Sequence, residues 1–234
     1  MKKTKIKIWI QLSMIAVFSV LLVTNCTKDN ENPNNSDNQN NQDNSDVKEP
    51  IVNENTVTDA DGNVYSTLTI GDFMWLGENL KTTKYNDSTD IPNLIDNNEW
   101  KNLSSGAYCW YNNSPGDGIM YGALYNWHAV NTKKLCPTGW HVATDEEWTE
   151  LVKDLGGNDV TGDKLKENAF KALLGGLRSD NGDFSWIGSF GNWWTATETD
   201  TDHALYVNVG ENTSLFLRAD YDKRAGFSVR CVRD

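Results

Sequence analysis

The sequence predicts an α+β domain of short antiparallel strands, one main helix and long loops. Three observations carry this. Residues 135–157 hold one well-bounded helix. Thr144 and Glu147 have the capping-box spacing, Trp148, Leu151, Val152 and Leu155 form one apolar stripe, and Gly156-Gly157 stop it. Residues 55–76 read as paired strands. From Phe170 onward, apolar positions recur in short alternating runs broken by Asp, Asn and Gly.

Residues 1–25 come before any domain. Lys2, Lys3, Lys5 and Lys7 form a basic start, Ile8 to Val23 is mostly apolar and uncharged, and Cys26 follows. That order is a secretory signal, and the cysteine resembles a bacterial lipobox. The resemblance implies cleavage before Cys26 and acylation of the chain there, palmitate included. Asn25 departs from the small residue usual at that position. The alternative is an uncleaved anchor helix, for which sixteen residues is short against a span of about 20. Thr27-Lys28-Asp29-Asn30-Glu31 resembles the surface-export tag of Bacteroidetes lipoproteins. The implied partner is the outer membrane, held through the lipid anchor. The implied location is the cell surface, with the periplasmic face as the alternative.

Residues 26–54 read as the lipidated cysteine and a tether. Asp29 to Asp46 is almost all Asn, Asp, Gln and Ser, which cannot offset the entropy of ordering. Such a tether reaches roughly 25 Å on average. The ordered domain is expected over 55–234, large enough for a real core. The net charge is −12, and losing the four lysines of residues 1–25 leaves −16. An acidic surface argues against nucleic acid and against an anionic headgroup layer.

Within the domain, Val64, Ser66, Leu68 and Ile70 alternate with Tyr65, Thr67 and Thr69. An Asp-rich turn at 59–63 precedes them, and Gly71-Asp72 makes a two-residue hairpin turn. The first turn also reads as a calcium loop, but Ile70 stands near where an EF-hand needs glutamate. Residues 85–105 read as loop, Ala107 to Tyr111 as a short aromatic strand, and 112–118 as a turn. Tyr121 to Val130 fits helix or strand equally, and is expected to pack on the Trp148 helix. Thr161 to Asn168 reads as a second short helix, and Phe170, Ala172 and Leu174 as a strand. Short strands follow to the end. The last puts Phe227, Val229 and Cys231 on one face, with Ser228, Arg230 and Val232 on the other.

Three cysteines follow Cys26. Cys136 precedes the main helix and Cys231 ends the last strand, so these two are paired, closing a loop of about 95 residues. The chain-entropy model gives about 4–5 kcal/mol for such a loop, as an upper figure. Cys109 is expected as a buried small hydrophobe.

The segments AYCWYNN, YGALYNWHAV, CPTGWHVATDEEW, GGLRSDNGDF, NWWTATE and GFSVRCVRD follow one another in a distinctive order. On these, the chain is identified as a member of the Fibrobacter succinogenes major paralogous (FISUMP) domain family, from about Val57 to Asp234. The resemblance implies a C-type-lectin-like fold in an exported or lipid-anchored protein. It also implies that the Val57 and Tyr65 strands lie beside Phe227 to Val232, and it supports the Cys136–Cys231 bridge. It brings no general activity with it.

His128, His141 and His203 are isolated in sequence, and no HExxH or GxSxG motif exists. Enzymes that generate formylglycine share a related fold, but they use a cysteine pair where this chain leaves only Cys109. The chain is therefore expected to have no catalytic residue, metal or cofactor, and not to be an enzyme. Binding is the better class, for a glycan or a protein ligand. The candidate loops are 198–202, 210–213 and 220–223. Trp193 and Trp194 face opposite sides of a strand, one expected in the core and one exposed. Asp220 and Tyr221 complete the candidate ligand-binding set. The run WTATETDTDH holds oxygens for calcium but lacks the EPN or QPD-type triplet of calcium-dependent lectins. The alternatives are a structural or adhesive surface protein, and an enzyme, which would need a cleft with converging titratable groups.

Overall fold

Alternate burial along strands and one apolar stripe along a helix determine how the elements pack. The computed structural model describes residues 51–167 and 169–234, within the unit Ser45–Asp234. The signal at 1–25, Cys26 and the tether up to residue 50 lie outside the described residues. Three strands open the fold as an antiparallel meander: β1 (Ile51–Thr58), β2 (Val64–Ile70) and β3 (Phe73–Leu76). β1 starts ahead of the Asn55 expected, because Ile51, Val52 and Asn53 pair with Thr69, Leu68 and Thr67.

Asp59 fixes the first turn. Its carboxylate accepts from the backbone N–H groups of Asp61 and Asn63, both at 2.9 Å, and from the Tyr65 hydroxyl at 2.6 Å. The run that reads as a calcium loop is thus a capped turn. Gly71 turns the second hairpin at φ +59°.

Helix α1 (Asn97–Lys101) lies in the stretch expected as loop. The Asp96 side chain caps it by accepting from the N–H groups of Asn98 and Glu99. Strand β4 (Tyr108–Cys109) and helix α2 (Pro115–Tyr121) come next. Residues 112–118, expected as a turn, instead run into this helix, whose proline in the first turn loses no intrahelical bond. Tyr121 to Val130 then proves to be both structures in succession. Strand β5 (Leu124–Tyr125) pairs with β4, and α3 (Trp127–Asn131) starts after the Asn126 cap.

Strand β6 (Trp140–Val142) leads into the main helix, α4 (Asp145–Asp154), with its Thr144–Glu147 capping box formed. Trp148, Leu151, Val152 and Leu155 are all buried. Helix α5 (Asn158–Glu167) follows. Phe170, Ala172 and Leu174 are buried but form no strand. Lys171 at φ +46° breaks the extended path, and two tight turns carry the chain to Gly175. The remaining strands are β7 (Gly175–Arg178), β8 (Phe184–Ile187), β9 (Phe190–Glu198), β10 (His203–Gly210), β11 (Phe216–Asp222) and β12 (Cys231–Arg233).

The result is α+β and rich in strands. One sheet has the order β1-β2-β3-β12-β6, a second β11-β10-β9-β7-β8, and β4 with β5 make a small third. The terminal strand does join the early meander. Its neighbours are β3 and β6, however, with Val232 opposite Trp75 and His141, rather than the Val57 and Tyr65 strands. The Cys136–Cys231 bridge is present, with Cα atoms 6.0 Å apart.

Strand β9 is covered on both faces. Trp193 packs in the layer of Trp148, 6.2 Å between ring centroids, and Trp194 packs on Phe227 at 4.4 Å. Tyr125 and Trp127 share the Trp194 layer, so their segment does not pack on the Trp148 helix as expected. Only Cys231–Arg233 of the expected last strand is regular, but the chain from Phe227 shows the same division, with Phe227, Val229 and Cys231 in one layer and Val232 in the other.

Buried polar side chains join these layers. Asn79 accepts from Trp193 Nε1 at 2.8 Å and from Arg230 Nε at 2.9 Å. Arg230 also donates to the carbonyls of Leu76 and Lys171, each at 2.8 Å. Burial lowers its pKa to about 9, which still leaves it charged at neutral pH.

His141 ties β6 to α4 and to the residue after β12. Its ring nitrogens lie 2.8 Å from the Glu147 carboxylate and 2.6 Å from that of Asp234. Glu147 foremost, then Asp234, hold the ring protonated and raise its pKa from 6.5 to about 9. A raised value in the folded state means stabilisation that is full below about pH 6.5 and is lost as pH rises through about 9. The melting-temperature gap between the native chain and His141→Gln should therefore shrink across that window. A gap independent of pH there would refute the charged bridge.

Candidate functional site

Two of the three candidate loops come together. The β9–β10 loop and the residues leaving β11 meet the end of α1 and one residue of α3 around a polar cleft of about 610 Å³. Lys101 and Ser104 line it from α1 and its exit, His128 from α3, Asp202 from the β9–β10 loop, His203 from the start of β10, and Asp222 to Arg224 from the end of β11 and the residues after it.

Charge pairs hold the walls. The buried Lys223 ammonium donates to the Glu198 carboxylate and to the carbonyls of Asp200 and Thr201, the latter two at 2.6 and 2.7 Å. It also lies 4.8 Å from the centre of the Trp127 ring. This one side chain therefore fixes the β9–β10 loop against α3. Arg224 forms a fork onto Asp222, through Nε at 2.8 Å and Nη2 at 2.5 Å, and donates from Nη1 to the Lys101 carbonyl at 2.9 Å. The Arg224 hydrogen bond lowers the pKa of Asp222.

The two imidazoles are moved in opposite directions. Burial, then the Lys223 charge, push the pKa of His128 down, so it is neutral at neutral pH and can both donate and accept. The Asp200 carboxylate, 3.1 Å from His203 Nδ1, pushes that of His203 up.

The individual residues expected at the site fare differently. Trp193 and Trp194 are both 0% exposed, so neither offers a ring to a ligand. Their indole N–H groups go to Asn79 and to the Tyr125 carbonyl. They do face opposite sides of β9, but both sides are core. Asp220 is exposed on β11 and does not line the cleft. Tyr221 is half-buried, packed against Tyr206 and Phe227. Loop 210–213 lies at the other end of β10, where Lys166 Nζ donates to the carbonyls of Gly210, Glu211 and Thr213, each at 2.9 Å.

Lys101 and His128 are cleft residues that no sequence pattern indicates. Lys101 belongs to a helix hidden in a polar stretch, and His128 to a segment whose periodicity is ambiguous. The exposed aromatics also differ from those expected. Of the nine described tryptophans seven are buried, while Trp110 is part-exposed and Trp186 is 57% exposed. Cys109 is buried, and burial pushes its pKa up to about 12, far from a reactive thiolate. Among the described residues, no group of three or more His, Cys, Asp or Glu is arranged to hold a metal ion.

Neither a curated protein nor a solved structure matches the chain. The family model of the Fibrobacter succinogenes major domain matches residues 68–233, from the middle of β2 to the end of β12. The chain therefore belongs to the Fibrobacter succinogenes major domain family.

Proposed function

We propose that this chain is a surface-tethered lipoprotein of the outer membrane whose domain binds a glycan or a protein ligand in the polar cleft, without catalysing a reaction. The cleft carries the reading. Stretches around residues 101, 128, 202 and 223 converge on it, and most of its charged groups are already engaged with one another. Asp222 is committed to Arg224, and Lys223 to Glu198 and two carbonyls. Among the described residues, Lys101, His128 and Asp202 are the groups left to face a ligand. The enzymatic alternative would rest on His128 and His203, whose affinities for protons differ in the required sense.

The anchor rests on the basic start, the apolar run and Cys26, with the polar tether leading to the domain. We read the fold as a relative of the C-type-lectin-like fold. The terminal strand lying in the sheet of the early meander, beside one main helix, supports this.

On a glycan array, the full-length chain should retain glycans whose binding falls at least about tenfold in Lys101→Glu and in His128→Gln. Retention unchanged in both variants would overturn the assignment to this cleft. Fatty-acid labelling should disappear in Cys26→Ser, and labelling that persists would overturn the anchor.

A further inference from the structure

A second concavity, of about 340 Å³, lies between the Asp59–Asn63 turn and α2, and shares no lining residue with the polar cleft. Trp110 provides its aromatic surface. The ring is held in place from two directions. Tyr108 meets it edge-on at 5.1 Å, and α2 lies against it at Gly118. A Cβ at Gly118 would fall 2.2 Å from Trp110 Cε3, so only glycine lets the helix lie that close.

The Asp61 carboxylate lines the same pocket and is also pre-oriented. Its Oδ2 accepts from the Thr83 N–H and, at 3.4 Å, from the Thr82 hydroxyl. Its Oδ1 lies 3.9 Å from Lys84 Nζ, which is too far for a hydrogen bond. Among the described residues, one carboxylate oxygen is thus left without a hydrogen-bond donor and can accept from a ligand. The Asp61 side chain is only 18% exposed, so leaving that oxygen unmet under a bound ligand would be costly.

These features select a ligand class. A wholly apolar ligand would satisfy Trp110 but strand the Asp61 oxygen. A cation would suit an indole and a carboxylate, but Lys84 stands beside Asp61, and Lys81 lines the pocket without an ion pair among the described residues. An anion would meet Asp61 itself. A neutral pyranose ring fits all the terms, with its C–H face on the indole and its hydroxyls donating to Asp61. We infer that the Trp110–Asp61 pocket binds a neutral pyranose of a glycan, as a site separate from the polar cleft.

The test is a titration of the full-length chain, with ¹⁵N-labelled tryptophan, by methyl glycosides of glucose, galactose, mannose and xylose. The Trp110 Nε1–H signal is assigned by its loss in Trp110→Phe, which keeps an apolar ring in the packing. At least one glycoside should shift that signal saturably at millimolar concentration. Asp61→Asn should weaken the binding at least about fivefold, and so should Gly118→Ala, which displaces the ring. Lys101→Glu, in the polar cleft, should leave it unchanged. The inference fails if no glycoside moves the Trp110 signal or if Asp61→Asn binds as the native chain does. It also fails if Lys101→Glu abolishes the shift, a result that would favour the polar cleft as the sugar site instead.

Discussion

One buried asparagine joins the end of β3 to the second sheet, to the approach to β12 and to the end of α2. Asn79 follows β3, accepts from Trp193 in the second sheet and from Arg230 just before β12, and donates to the Tyr121 carbonyl at 2.8 Å. Each such bond contributes only about 1 kcal/mol net, but stranding a buried partner costs about 1–3 kcal/mol. The node therefore acts less as a source of stability than as a constraint on which arrangement of the layers is allowed. In other arrangements the Arg230 guanidinium would be buried without its acceptors.

The same device recurs wherever long loops cover the core. Loops make few ladder bonds, yet their buried carbonyls still need donors. Arg178 supplies them to Leu94 at 2.6 Å, to Ile95 at 3.1 Å and to Gly182 at 3.0 Å, while its guanidinium lies over the Trp100 ring. Asn126 holds Ala107 and Ser105, and Lys223 holds Asp200 and Thr201. This explains how a domain with so much irregular chain keeps a fixed shape. It also explains the polar cleft, whose walls hold Lys223 and Arg224, each donating to a backbone carbonyl and paired with a carboxylate. Lys101, His128 and Asp202, the groups proposed to meet a ligand, are those whose side chains have no such task among the described residues.

The parts of the fold that local chemistry decides were legible in the sequence. The Thr144–Glu147 box and the stripe behind it specify α4 without help from distant residues. The alternation along Phe227 to Val232 separated the residues that the structure divides between two layers, and the positions of Cys136 and Cys231 foretold their bridge. What local chemistry does not decide was hidden. Trp193 and Trp194 had to point to opposite sides, but only the topology places core on both. Asp96 caps a helix within a run that reads as loop, because few apolar residues mark α1 and Trp100 alone is buried. Loops 198–202 and 220–223 stood out by composition. Their meeting with Lys101 and His128 depends on packing between elements far apart in the chain.

A double-mutant cycle between Asn79→Ala and Trp193→Phe, read by urea unfolding of the full-length chain, tests the constraint most directly. The phenyl ring keeps most of the packing while removing the indole donor, and the cycle cancels the volume that each single change loses on its own. If the node couples the layers, the two changes will be non-additive by at least about 1 kcal/mol. Changes that add to within about 0.3 kcal/mol would contradict it.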